Sequence, residues 1–387
     1  MKKTLIKVAF GALICAIATQ MNPNTPKAVT AEVKVEYMQD VALDEAHFPD
    51  ERFRKKLSYY VDKNRDEILS REERESIYYL ELDSYTNGIS RTWYQDMKYM
   101  RAGYNMDDYA VKSTTKYSLL LNFQFDEENY RTVADDRTID LAGIEYFFNL
   151  EEVRTDKYEW LTGSFQNNAS LRKIWIGCSK PGDKSYDAIQ KDFPVSQLTY
   201  IHLENVAVDT LDVRKIPNLQ VLRVILPDGS DCRLSELNLS ANKKLKELEL
   251  GNILPAKLNL TKNKKLISVK IYSGKCKTGQ KYGENLVDTE NGYYRYYLPG
   301  KNKKCTVTFA KTNRIKTLHY FTANKKIDMT RLTKLEDFQT LKSIKAKVKS
   351  SWIRKTFTKK KWGCAVVRSG KFLQKIKAKK KGKYTMI

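Results

Sequence analysis

Between Leu150 and Ile271 the chain repeats one arrangement of six positions: a leucine, two variable residues, an apolar residue, one variable residue, then an apolar residue or Thr. The copies start at Leu150 (LEEVRT), Leu171 (LRKIWI), Leu198 (LTYIHL), Leu219 (LQVLRV), Leu245 (LKELEL) and Leu266 (LISVKI), at intervals of 21, 27, 21, 26 and 21 residues. A further copy fits at Leu335 (LEDFQT) and a looser one at Ile315 (IKTLHY). Apolar residues at alternate positions predict a short strand with one buried face. Their return at a near-constant interval predicts a stack of similar units, each burying its apolar side against the next. A weaker element lies between the strands at Leu211 (LDVRKI), Leu237 (LNLSAN) and Leu258 (LNLTKN). From Leu234 to Leu245 the sequence reads L-x-x-L-x-L-x-x-N-x-x-L, which places Asn242, and likewise Asn263, to hydrogen-bond the backbone of a neighbouring coil.

These phrases resemble the leucine-rich-repeat family, in which a short strand and a return segment build each coil of a curved parallel sheet. The resemblance covers about residues 139–341, with an aromatic hairpin-like insertion at 274–310. Ahead of it, FPDERFRKKL (Phe48 to Leu57) followed by Asp-x-Asn-x-Asp looks like the N-terminal cap of secreted bacterial leucine-rich-repeat proteins of the internalin kind. IDLAGIEYFFNL from Ile139 is similar to the phrase that leads into their repeats. The implied fold class is an α/β repeat: a solenoid of seven or eight coils with a helical cap at 32–83. Residues 84–138 read as a polar, Tyr-rich insertion, and 342–387 as a basic segment, either a small β-module or disordered.

The first residues carry Lys2, Lys3 and Lys7, then the apolar run VAFGALICAIAT, then Val29-Thr30-Ala31 before Glu32. That order predicts a secretory signal at 1–31 and an extracellular protein. The apolar run is too short to span a bilayer. With 30% charged residues and a mean hydropathy of -0.57, no membrane-spanning body is expected. Five cysteines follow the signal, an odd number at wide spacing, so the core must hold without staples. A Cys276–Cys305 bridge across the insertion is one alternative left open.

The net charge is +24, and it is unevenly placed. No acid follows Asp337, while 342–387 carries 17 Lys or Arg. Such a tail attracts wall polymers, anionic lipid or released nucleic acid through its field. Trp352, Phe357, Trp362, Phe372 and Tyr384 are interleaved with the lysines, which suits noncovalent attachment to a wall or membrane surface.

Two constellations carry candidate chemistry. In DKNRDEILSREE, oxygen donors fall at positions 1 (Asp62), 3 (Asn64), 5 (Asp66), 9 (Ser70) and 12 (Glu73), with the Ile68 carbonyl at 7. That spacing wraps six or more oxygens around one Ca²⁺. Glu67 stands where the pattern has Gly, and a β-carbon in that turn costs about 1 kcal/mol. The alternative is a turn that caps the solenoid without metal.

The second constellation is the strand face. If the repeat's apolar residues point inward, the residues between them point out. That row comprises Glu152, Arg154, Lys173, Trp175, Tyr200, His202, Val221, Arg223, Glu247, Glu249, Ser268 and Lys270. Within it Arg154, Lys173, Trp175, Tyr200, His202 and Arg223 are the candidate ligand contacts, suited to an extracellular protein or glycan. The alternative role for these aromatics is packing on their lateral neighbours. Catalysis finds little support. His47, His202 and His319 are the only histidines, no HExxH or Gly-x-Ser-x-Gly occurs, and Cys364, though ringed by lysines, has no base nearby in sequence. Three functions therefore stand in order: recognition by the strand face, polyanion or cell-wall binding by the basic tail, and a hydrolase.

Overall fold

The computed structural model describes residues 39–82 and 138–339, apart from short breaks at 156–158, 179–185, 207, 209, 227–233, 274–275, 280–293 and 298–302. Beyond these it describes the segments 117–121, 125–126, 131–132, 345–347, 376–379 and 383–386. The signal at 1–31, most of 84–138, Cys364 and Trp352, Phe357, Trp362 and Phe372 lie outside the described residues.

Ten strands form one sheet, and every neighbouring pair in it is parallel. In chain order they are β1 (Ile77–Leu82), β2 (Tyr117–Leu121), β3 (Glu152–Thr155), β4 (Lys173–Gly177), β5 (Tyr200–Glu204), β6 (Val221–Ile225), β7 (Glu247–Gly251), β8 (Ser268–Tyr272), β9 (Thr317–Phe321) and β10 (Asp337–Gln339). From β3 to β10 each strand lies beside the next in sequence, the arrangement of a leucine-rich-repeat solenoid. The register sets repeat position against repeat position: Ile174 pairs with Ile201, Leu222 with Leu248, Val269 with Leu318. The repeat leucines 150, 171, 198, 219, 245, 266 and 335, with Ile315, are all buried, and the inward strand residues join them in one continuous core. Burying each such side chain is worth about 1.5–3 kcal/mol, and the stack multiplies it coil by coil.

Just before each strand, one backbone hydrogen bond is repeated from coil to coil. The N–H of Arg172 donates to the carbonyl of Glu151 (2.9 Å), Thr199 to Arg172 (2.8 Å), Gln220 to Thr199 (2.7 Å), Lys246 to Gln220 (2.7 Å), Ile267 to Lys246 (2.7 Å), Lys316 to Ile267 (2.8 Å) and Glu336 to Lys316 (2.7 Å). On the return side the asparagines do related work. Asn242 Nδ2 donates to the carbonyls of Val213 and Ile216, both at 2.8 Å, and Asn263 Nδ2 to Leu239 (2.9 Å) and Asn242 (3.0 Å). Asn168 does the same to Ile144 (3.1 Å) and Phe147 (2.7 Å). All three side chains are buried, where an unmade backbone hydrogen bond would be costly.

The structure enlarges the sheet beyond the six-position copies first counted. β1 falls in the stretch read as cap and β2 in the stretch read as insertion, yet both belong to the solenoid sheet, with β1 between β3 and β2. The pattern of β1 is the repeat's own: Ile77, Leu80 and Leu82 are buried at the three apolar positions. A second difference concerns 274–310. An antiparallel hairpin, Cys276–Gly279 with Tyr294–Tyr297, occupies part of it. Thr306–Phe309, however, is a return segment of the solenoid, paired in parallel with Lys257–Leu260. The 27-residue interval from Leu171 to Leu198 holds the short helix Tyr186–Asp192.

Helix α1 (Glu51–Tyr60) precedes β1 in the chain, and its N-cap Asp50 accepts from the N–H groups of Arg52 and Phe53. Phe48, Phe53, Leu57 and Val61 go into the core beneath it. The short helix α2 (Arg71–Glu75) leads into β1. At the other end, Lys345–Lys347, Ile376–Lys379 and Lys383–Met386 complete a four-stranded sheet with Lys326–Asp328 of the last coils, so the described parts of the basic segment are strands. Among the described residues no helix is long and apolar enough to cross a membrane.

Candidate functional site

The outward position at the centre of each strand forms one row across the sheet. Arg154, Trp175, His202, Arg223, Glu249, Lys270 and His319 are register partners in that order. Strands in a sheet lie about 4.8 Å apart, close to the thickness at which planar groups stack, so the row packs on itself. The Arg154 guanidinium carbon lies 3.6 Å from the Trp175 ring centroid. On the opposite side the His202 ring lies against the same indole, with centroids 4.4 Å apart and planes 8° from parallel. Trp175 is thus held between a cation and an imidazole, an arrangement its electron-rich faces favour.

Charge takes over where the aromatics end. Glu249 Oε2 lies 3.8 Å from Arg223 Nε and 4.0 Å from Lys270 Nζ, and its Oε1 accepts from the Tyr272 hydroxyl at 2.8 Å. Arg223 Nη2 also reaches Glu247 at 3.4 Å, and its guanidinium carbon is 6.0 Å from the Tyr200 ring. His202 Nε2 is 3.8 Å from Glu204 Oε2. The room for Tyr272 depends on Gly251, where a β-carbon would sit 2.4 Å from the tyrosine ring.

The six candidate contacts share this face but are not equally available. Lys173 is exposed and paired with Glu152 at 2.9 Å. Trp175, Tyr200 and Arg223 are half-buried, while Arg154 and His202 are only 5% and 4% exposed. Lateral packing, the competing role read for these residues, covers both faces of the indole and leaves its edge. Tyr200 occupies the neighbouring row with Lys173 and Val221, one position pair away from His202. Sequence reasoning left Glu204, Tyr272 and His319 out of the face. His319 sits at the fifth position of IKTLHY, the same position as Trp175 in its own copy, so the signal was present.

The loop from Asp62 to Glu73 has the backbone of an oxygen-lined turn. Glu67, at the place of the expected Gly, is in the left-handed region with φ 61°, and Arg65 with φ 58° precedes it. Asp62 is buried and accepts from the N–H groups of Asp66 (3.3 Å) and Glu67 (3.0 Å). Asn64 Oδ1 accepts from the Asp66 N–H at 3.3 Å, and Asp66 Oδ1 from the Ile68 N–H at 3.0 Å. Glu73 Oε1 takes the Lys63 N–H (2.8 Å), and Oε2 takes the N–H (2.9 Å) and hydroxyl (2.8 Å) of Ser70, forming a capping box on α2. The carboxylates as placed are engaged with N–H groups, and among the described residues no three Asp, Glu, His or Cys side chains converge to hold a metal ion. Ion binding would require Glu73 to release Lys63 and Ser70.

Two buried cysteines lie among the described residues. Cys305 is free and wholly buried, so it is not bridged to Cys276, and burial pushes its thiol up to about 12. A thiol held that high is protonated at neutral pH and is a poor nucleophile. Cys178 is likewise buried.

No protein-family model matches this chain, and no curated protein matches it. Among solved structures it is similar to an internalin (InlF) from Listeria monocytogenes str. 4b F2365, with 12% identity and a TM-score of 0.34 over 81% of this chain and 87% of that one. It is also similar to the functional domain of InlJ from Listeria monocytogenes, which includes a cysteine ladder, with 13% identity and a TM-score of 0.21 over 80% of this chain and 77% of that one.

Proposed function

We propose that this chain is an extracellular recognition protein that holds a protein ligand against the strand face of its solenoid. The observation that carries the reading is the interlocked row Arg154–Trp175–His202–Arg223–Glu249. It sets a polar and aromatic surface, with Lys173 and Tyr200 beside it, on strands that cannot move independently. A surface ordered before binding loses little side-chain entropy when a partner docks, and Trp, Tyr and Arg are the residues that anchor protein interfaces. A protein suits this face better than a glycan. A sugar ring would stack on an open aromatic face, and both faces of Trp175 are taken by Arg154 and His202. Export is supported by the charged, apolar, small-residue order of the first 31 residues. N-terminal sequencing of the exported protein should then begin at Glu32.

The test is a photo-cross-linking residue at Val221, between Tyr200 and Glu247 in the register. Adducts with proteins of a candidate target surface should form from Val221, fall on adding Lys173→Ala with Tyr200→Ala, and be absent when the cross-linker is at Ala241. Equal yields from both positions would sink the assignment.

For the Asp62–Glu73 turn we propose Ca²⁺ as a structural ligand. The donor spacing, the left-handed Glu67 and the pairing of Ile68–Leu69 with Val41–Ala42 support it.

A further inference from the structure

The backbone ladder that precedes the strands also aligns the residues just before each repeat leucine. In the first four coils these are Asn149, Ser170, Gln197 and Asn218; in the next four they are Lys244, Lys265, Arg314 and Lys334. One column is thus neutral along half its length and cationic along the other half. The four cations are all exposed, and Lys243, Lys246, Lys264 and Lys316 flank them, exposed as well. Lys316 pairs with Glu336 at 2.9 Å, and Lys244 Nζ donates to Asn218 Oδ1 at 2.7 Å. Among the described residues, Lys265, Arg314 and Lys334 have no acidic partner. From Gly251 to Leu335, Asp328 is the only acid among the described residues.

We propose that this edge of the four C-terminal coils is a binding track for a linear polyanion that carries phosphate charge along its backbone and no bases. Coil spacing of about 4.8 Å puts successive cations well inside the screening length of about 8 Å at physiological ionic strength, so they act as one line of field. A linear polyanion lying along the solenoid axis meets a cation at every coil and gains the entropy of the counterions it sheds. Among the described residues the track offers no exposed aromatic side chain on which a base could stack, and Ile267 is its one exposed large apolar side chain. Single-stranded nucleic acid and membrane insertion each need what is missing there. The site is separate from the strand face, because its residues lie before the strands and not on them.

The test measures binding of the full chain to inorganic polyphosphate across a salt series. Three forms are compared: the parent, a track variant (Lys244→Gln, Lys265→Gln, Arg314→Gln, Lys334→Gln) and a tail variant of equal charge change (Lys371→Gln, Lys375→Gln, Lys380→Gln, Lys381→Gln). The track variant should lose at least tenfold in affinity, and its salt slope should fall by about 3, as expected for four lost phosphate contacts. The tail variant should lose clearly less. A charge-keeping variant (Lys244→Arg, Lys265→Arg, Lys334→Arg) should bind like the parent, and thermal melts should show all forms folded. Equal losses in track and tail variants would mean that affinity follows net charge alone, and the proposal would fall. It would fall equally if oligo(dT) of matched charge bound more tightly than polyphosphate, or if the Gln track variant bound like the parent.

Discussion

Phe48 occupies the space that a side chain on Gly143 would need. Its ring lies 2.2 Å from the position of a β-carbon there, with the His47 carbonyl at 2.7 Å, and Gly143 has φ 98°. The cap phrase and the lead-in phrase, almost a hundred residues apart, are therefore fitted to each other through the absence of one methyl group. Gly143→Ala should destabilise the chain by about 2–5 kcal/mol, from a strained φ together with overpacking. Urea melts would check it. Adding Phe48→Ala to Gly143→Ala should recover none of the backbone strain, and full recovery would show that the ring was the whole cause.

Asn242 and Asn263 should matter more than their size suggests. Asn242→Ala leaves the Val213 and Ile216 carbonyls without their donor in a buried turn. A loss of about 1–3 kcal/mol is expected, with Asn263→Ala similar. Denaturant midpoints within experimental error of the parent would show that water enters and replaces the amide.

Asp50 predicts a pH dependence. Burial alone would raise its carboxyl, but the Arg52 side chain and the N–H groups of Phe53 and Asp140 outweigh it and hold it below the ordinary carboxylate range. A carboxyl with a lower pKa folded than unfolded stabilises fully above the unfolded value of about 3.9, and that contribution is lost as pH falls through the folded value. Asp50→Asn should therefore melt lower than the parent at pH 6, with the gap closing as the pH is taken below 4. A gap that stays constant over that range would assign Asp50 a capping role without linkage to its charge.

For the loop at Asp62, the expected outcome is a higher melting temperature in Ca²⁺ than in chelator, abolished by Asp62→Ala. Identical melts in both media would leave the turn as a hydrogen-bonded cap, held by Glu73 on Lys63 and Ser70.

The solenoid was legible because its information is local and repeated. Leucine at one position and apolar residues three and five further on define the strand, and each copy states it again. The Asn positions were legible for the same reason. Asn168 escaped notice because its coil lacks the full return pattern, although it stands three residues before Leu171 as Asn242 stands before Leu245. β1 was hidden by its placement directly behind the cap, whereas β9 was legible as the looser copy at Ile315, with Ile in place of Leu and an insertion before it. Lateral packing of Trp175 stood as an open alternative in the sequence, but that both its faces would be covered did not. It depends on Arg154 and His202 arriving in register across connections of about twenty residues, and alternation tells only which way a residue points. Free and buried Cys305 was hidden likewise, since its partner question is settled by where the hairpin leaves the coil.

The repeated hydrogen bond from coil to coil has a mechanical consequence. Each coil is held mainly by the one before and the one after, so tension applied to the two ends loads the outermost contact first. The solenoid should come apart from an end inward, one coil per event, and a 21-residue coil would release about 70 Å of chain each time. From Leu150 onward, the coil between Leu266 and Ile315, 49 residues with the Cys276–Gly279 and Tyr294–Tyr297 hairpin inside it, would give the longest step, a mark by which its place in the sequence of ruptures could be read.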